Sequence, residues 1–177
     1  MGREVRRVPP NWEHPRWTAG DVPRSDWIGE FKSMYNETYN EAAENWLAEL
    51  AKWEAGENPD RERYGDRYLW DWEGNPPDKN YYRPEFAEEP TWFQLYETVS
   101  EGSPVTPPFA TEEELIEYLC TKGDFWCQGR HNEPIPTRKQ ATALVKTGWA
   151  MSMMLANGKV MNSAESAEYV AQQNEEE

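Results

Sequence analysis

The sequence predicts an α+β fold: a small antiparallel sheet packed with three to four helices, around an aromatic-rich core. Three observations carry that prediction. Two capping boxes, Thr111-Glu112-Glu113-Glu114 and Thr137-Arg138-Lys139-Gln140, mark helix starts in the C-terminal half. Residues 91–99 are dominated by β-branched and aromatic side chains and read as a strand. Ten Trp and nine Tyr stand in a chain short of Val, Ile and Leu. Each large ring buries about 150–250 Å², so rings take over much of the work of aliphatic side chains.

The elements follow in order. Arg3–Val8 alternates roughly and reads as an edge strand stopped by Pro9-Pro10. Trp12, His14, Arg16 and Trp17 then lie in an extended, Pro-bounded segment. Over residues 36–55, Tyr39, Ala43, Trp46, Leu50 and Trp53 step by four and three and predict a helix, with Leu47 widening the buried stripe. Gly56 and Pro59 stop it. Residues 57–90 are rich in Pro, Gly, charge and aromatic rings, and read as an irregular insert with a short strand near 68–72. In the 91–99 strand, Trp92, Gln94, Tyr96 and Thr98 face one way, and Phe93, Leu95, Glu97 and Val99 the other. A turn at 101–104 leads to a second short strand at Val105-Thr106. The helix opened by Thr111 ends at Gly123, and the one opened by Thr137 ends at Gly148. Residues 150–156 read as a strand, turned back at Asn157-Gly158 into Lys159–Met161. Asn162-Ser163-Ala164-Glu165 starts a last helix. With 177 residues, the chain fits a single domain over 1–172 with an acidic tail at 173–177.

Charge is unevenly spread. The formal net charge is -15, yet residues 1–18 hold four basic and two acidic residues, and residues 122–160 hold six basic and two acidic ones. Two cationic segments in an acidic chain mean either an anion site or internal pairing with the acidic middle. Arg3, Arg6 and Arg7 supply guanidinium forks that match phosphate. Trp12 and Trp17 lie near them in sequence and could stack on a base; His14 stands between. In the second segment are Arg130, His131, Arg138, Lys139 and Lys146, of which Arg138 and Lys139 fall in the first turn of their helix. The plainer reading of each is a salt bridge.

Catalytic signatures are sparse. Cys120, Cys127, His14 and His131 make up the whole Cys and His complement and show no zinc spacing. There is no phosphate loop and no nucleophile elbow. The balance leans to a binding protein rather than an enzyme, with no cofactor and no metal. Direct nucleic-acid binding is not expected at this net charge. Acidic residues in the middle of the chain also suit a protein-binding inhibitor that imitates DNA. Aromatic-rich surfaces suit a homo-oligomer. No stretch approaches the ~20 apolar residues of a membrane span, and no secretory signal is evident. The two cysteines are expected reduced.

Several motifs carry a resemblance. Arg3-Glu4-Val5-Arg6-Arg7-Val8-Pro9, the stretch from Tyr96 through Glu97-Thr98-Val99-Ser100-Glu101-Gly102-Ser103-Pro104 to Pro107, Phe109-Ala110-Thr111-Glu112-Glu113 and Gly148-Trp149-Ala150-Met151-Ser152 resemble a family of small bacteriophage accessory proteins. His14-Pro15 fits as well. The resemblance implies a viral protein of the host cytoplasm acting against host defence. It implies sequestration of a phosphate-bearing small ligand such as a nucleotide immune signal, or blockade of a host defence protein. Hydrolysis of such a signal is a further alternative. Under the first, Ser100 and Ser103 in the central turn and Trp149 join the ligand-binding candidates.

Overall fold

The computed structural model describes residues 2–65, 67–71, 74–98, 102–128 and 134–175. In chain order, β1 (Arg3–Val8) precedes β2 (Tyr35–Thr38), α1 (Tyr39–Ala55), α2 (Pro59–Tyr64), β3 (Tyr82–Arg83), β4 (Trp92–Glu97) and β5 (Ser103–Pro104). Then come α3 (Glu112–Thr121), α4 (Phe125–Gln128), α5 (Arg138–Thr147), β6 (Trp149–Ala150), β7 (Met154–Ala156), β8 (Lys159–Met161) and α6 (Ser163–Glu175). These elements form two compact units, Met1–Ser33 with Phe86–Glu177, and Met34–Glu85. The helix and residues 57–85 of the expected 57–90 insert thus fall together in the second unit, and residues 86–90 in the first.

The first unit is built on a sheet of order β5-β4-β1-β6. β1 runs antiparallel to β4, from Arg3 opposite Glu97 to Val8 opposite Trp92. It also pairs with β6, Arg3 opposite Ala150. The sequence reading put β1 at an edge; it is instead an inner strand. Its first half is bonded on both sides, since Val5 N–H also donates to Gly148 O at 2.8 Å. Pro9 ends it only where the pairing ends.

Period-two alternation sorts the side chains of β1 and β4. Phe93 and Leu95, with Val5, face a layer of helices. There they pack with Leu115, Ile116 and Leu119 of α3, Ala141, Leu144 and Val145 of α5, and Ala167 of α6. Each fully buried Leu in this layer contributes about 1.5–3 kcal/mol. The opposite face carries Arg6, Val8, Gln94 and Tyr96, all buried. Aromatic rings from the N-terminal segment cover it, and the site described below lies there.

Helix punctuation follows the sequence closely. Thr111 and Glu114 form a reciprocal capping box, as do Thr137 and Gln140. Gly148 closes α5 in the left-handed conformation, at φ 75°. Asn157 and Gly158 both take positive φ, as a tight hairpin turn between β7 and β8 requires. Asn162 accepts from Glu165 N–H at 3.0 Å and so caps α6. The predicted 150–156 strand divides: Ala150 joins the main sheet, and Met154–Ala156 forms the separate hairpin.

The second unit holds β2, β3, α1 and α2. Tyr35–Thr38 is a strand rather than the first turn of the helix, because Thr38 and Glu41 form a capping box that sets the start at Tyr39. Trp53 is buried, with its Nε1–H on Arg67 O at 3.1 Å. Leu47, assigned to the buried stripe, is 59% exposed. A unit this small has too few elements to cover both flanks of a long helix. Near 68–72 there is no strand among the described residues: Leu69–Asp71 forms a 3-10 turn, and the Tyr68 and Trp70 rings stack at 4.5 Å. No helix of the described residues is long and apolar enough to cross a membrane. Cys120 and Cys127 are free thiols.

Candidate functional site

The face of the sheet opposite the helices is closed by the segment following β1. Past Pro9-Pro10 the chain folds back, and residues 15–32 make a hairpin-like loop. Trp17 N–H donates to Glu30 O and Gly29 N–H to Trp17 O, both at 2.9 Å, and Lys32 N–H donates to Pro15 O at 3.0 Å. Lys32 and Asp21 close the loop with an ion pair. The result is a lip that holds Trp12, His14, Arg16 and Phe31 against the sheet.

Between this lip and the β5 edge lies a cleft of about 760 Å³. One wall is Trp12, His14, Arg16 and Phe31; the other is Pro104 to Pro108, Tyr118, Phe125 and Gln128, with Gln94 also lining it. The second wall is firmly placed. Phe93 and Phe109 exchange two backbone hydrogen bonds at 2.8 Å, and Phe125 N–H donates to Val105 O at 2.9 Å. Gln128 Nε2 donates to Gly123 O at 2.8 Å and to Tyr118 Oη at 3.1 Å. This volume falls in the range of small-molecule sites, about 300–1,000 Å³, and the mostly apolar and aromatic lining with a few polar groups is typical of them.

A buried polar network lies behind the cleft. Gln94 Nε2 donates to Thr106 O at 2.7 Å, which turns its Oε1 toward Tyr96; Tyr96 Oη donates to that oxygen at 2.8 Å. Trp12 Nε1–H donates to the same hydroxyl at 3.2 Å. His14 Nε2 lies 2.7 Å from Lys32 O. A carbonyl only accepts, so that nitrogen carries the proton and the neutral ring presents Nδ1 as an acceptor. Nδ1 faces Tyr96 Oη at 3.2 Å. One hydroxyl proton therefore serves two acceptors. Burial, reinforced by the Arg6 and Arg16 charges, holds the His14 pKa down to about 4 against the opposing Lys32 hydrogen bond. Burial pushes the Tyr96 hydroxyl up to about 12. Both groups are neutral at pH 7 and act through hydrogen bonds.

Arg16 is the cation among the described residues that line the cleft. Its guanidinium lies 3.7 Å from the centre of the Phe31 ring, and Nη1 donates to Gly29 O at 2.7 Å. It pairs with no carboxylate among the described residues. Stacking and one backbone bond fix the plane of the fork in advance of any ligand.

The remaining sequence candidates do not converge on one site. Arg3 is 2% exposed, with Nε 2.5 Å from Asp124 Oδ2. Arg6 is buried, its Nε 2.8 Å from Glu4 Oε2 and its guanidinium 4.5 Å from the centre of the Tyr96 ring. Arg7 points to the opposite face, where it stacks on Phe93 at 3.7 Å and lines a shallow depression with Thr111, Glu112 and Lys146. Alternation along β1 separates Arg6 from Arg7. Arg138 pairs with Glu113 and Glu117, and Lys139 with Glu168. Trp17 is buried beside Trp27, with Lys32 over its ring. Ser103 meets the Ser33 hydroxyl at 3.3 Å. Trp149 is exposed on the edge strand β6, across the sheet from β5. Ser100, Arg130 and His131 lie outside the described residues.

Among the described residues, Trp12 and His14 are the proposed ligand residues that line the cleft. Arg16, Phe31, Gln94, Thr106, Tyr118, Phe125 and Gln128 were not among them. Two signals pointed their way: the Pro-bounded run holding Trp12, His14 and Arg16, and Gln94 as a polar residue inside an aromatic strand. No family model, no curated protein and no solved structure matches the chain.

Proposed function

We propose that the chain is a binding protein for a small, flat, anionic ligand of nucleotide type, held in the cleft beside His14 and Arg16. The observation that carries this reading is the pairing of Arg16, stacked on Phe31, with the aromatic walls Trp12, Tyr118 and Phe125 in one cleft. A guanidinium fork takes phosphate oxygens, and an aromatic ring takes the base face at about 1–3 kcal/mol per base. Gln94, Thr106 and Gln128 add amide and hydroxyl groups to the lining, of the kind that orient a base edge. The buried network behind them holds the Gln94 side chain in one orientation.

The resemblance to phage accessory proteins supports a setting for this activity. There the protein would capture a nucleotide signal of the infected cell and withhold it from a defence system. Capture needs no turnover, and the neutral, buried His14 and Tyr96 suit a scaffold better than proton transfer at pH 7.

Trp12 makes the test direct. Titration with purine and pyrimidine nucleotides should quench its fluorescence and raise the unfolding midpoint of the chain. Arg16→Ala should remove both effects while the variant keeps its fold. A full panel at millimolar concentration with neither effect would sink the reading.

A further inference from the structure

The charge inventory of the cleft discriminates among nucleotides. Among the described residues, the lining side chains able to carry charge near neutral pH are Glu13, His14 and Arg16. His14 is neutral there, and Glu13 is an exposed carboxylate of the wrong sign for an anion. Among the described residues, one guanidinium therefore provides the positive charge of the lining. It also sits in a chain of formal net charge -15, whose field opposes multiply charged anions.

The guanidinium geometry points the same way. Nη1 is engaged by Gly29 O, and Phe31 covers one face. The Nε–Nη2 edge is left, with two parallel N–H groups. That edge matches two oxygens of one phosphorus centre in a bidentate pair. A phosphodiester presents two non-bridging oxygens and a single charge. A terminal phosphate carries about -1.5 to -2 at pH 7, and a phosphate chain carries more, with no second cation among the described lining residues to meet it.

On the reading of the cleft as a nucleotide site, we infer that its ligand is a singly charged phosphodiester of cyclic-nucleotide type, with the phosphate on the Nε–Nη2 edge of Arg16 and the base between the aromatic walls. A linear di- or triphosphate is the class it discriminates against. A nucleic-acid strand also offers phosphodiesters, but in a row, and the acidic chain repels such a polyanion.

Calorimetric titration of the full chain tests this. The probes are cyclic AMP and cyclic GMP, ATP and GTP with and without Mg²⁺, and a single-stranded heptanucleotide. The better cyclic nucleotide should bind at least tenfold more tightly than its own triphosphate and than the oligonucleotide. Arg16→Lys keeps the charge but loses the fork, and should weaken it tenfold or more. Arg138→Ala, outside the lining, should bind as the parent does. A triphosphate or oligonucleotide binding as tightly as the cyclic form would overturn the inference while leaving an anion site in place. Full affinity in Arg16→Lys would overturn the bidentate geometry. Binding by none of the probes would overturn the nucleotide reading of the cleft itself.

Discussion

His14 Nδ1 faces Tyr96 Oη across 3.2 Å, and the one proton of that hydroxyl is already directed at Gln94. A second proton on His14 would complete the network, but burial and two guanidinium groups keep it off until about pH 4. The folded-state pKa thus lies below the ordinary 6.5 of the unfolded chain. Between those values the unfolded state binds more protons, so stability falls as pH drops from 6.5 toward 4. His14 alone should cost about 2 kcal/mol between pH 7 and 4.5, at 1.36 kcal/mol per pKa unit. Urea unfolding at both pH values checks this. His14→Gln should show a smaller loss than the parent over the same interval; an equal loss in both would refute it.

Asp124 should tolerate substitution poorly. Its carboxylate meets Arg3 in an ion pair buried on both sides, and its Oδ1 accepts from Trp126 N–H at 3.0 Å. Asp124→Asn keeps the shape and takes one negative charge away from a buried guanidinium. A loss of about 3 kcal/mol is expected. In a chain already carrying Arg3→Met the same change should cost far less, and a double-mutant cycle by chemical denaturation reads the difference.

Gly102 is a place where only glycine fits. Its φ is 125°, and a Cβ there would overlap the Arg6 guanidinium. Gly102→Ala therefore meets backbone strain and displaces Arg6 from the Tyr96 ring. A destabilisation of about 1–3 kcal/mol is expected. Arg6→Ala in the same chain should relieve the overlap but not the strain, so thermal unfolding of the pair should fall short of full recovery.

The α5 cations should prove separable from ligand binding. Arg138 and Lys139 are exposed and already paired with glutamates of α3 and α6. Arg138→Ala and Lys139→Ala should leave the unfolding midpoint within experimental error and any nucleotide affinity unchanged. Tenfold weaker binding in either would move the site toward α5.

Local chemistry made much of the fold legible. Thr111, Thr137 and Asn162 announce helix starts because their caps are satisfied within four residues. Asn157-Gly158 announces a turn for the same reason. β1 was misplaced at an edge because its second partner, Trp149-Ala150, is a two-residue strand with no periodicity of its own. The cationic clusters misled because proximity in sequence is not proximity in space: Arg6 and Arg7 are adjacent residues on opposite faces of a sheet. Arg16 went unselected because its partner, Phe31, lies across a loop whose closure rests on long-range backbone bonds.

The inner position of β1 bears on how the chain acquires its fold. Arg3 must meet Glu97 on one side and Ala150 on the other. A ribosome adds ~5–20 residues per second, so β1 waits roughly ten seconds or more for its last neighbour, β6. Until then it carries unpaired backbone and Arg3, whose partner Asp124 also arrives late. High contact order of this kind slows folding. The N-terminal strand should therefore be among the last parts of the sheet to gain protection from hydrogen exchange during refolding, although it is among the first to be synthesised.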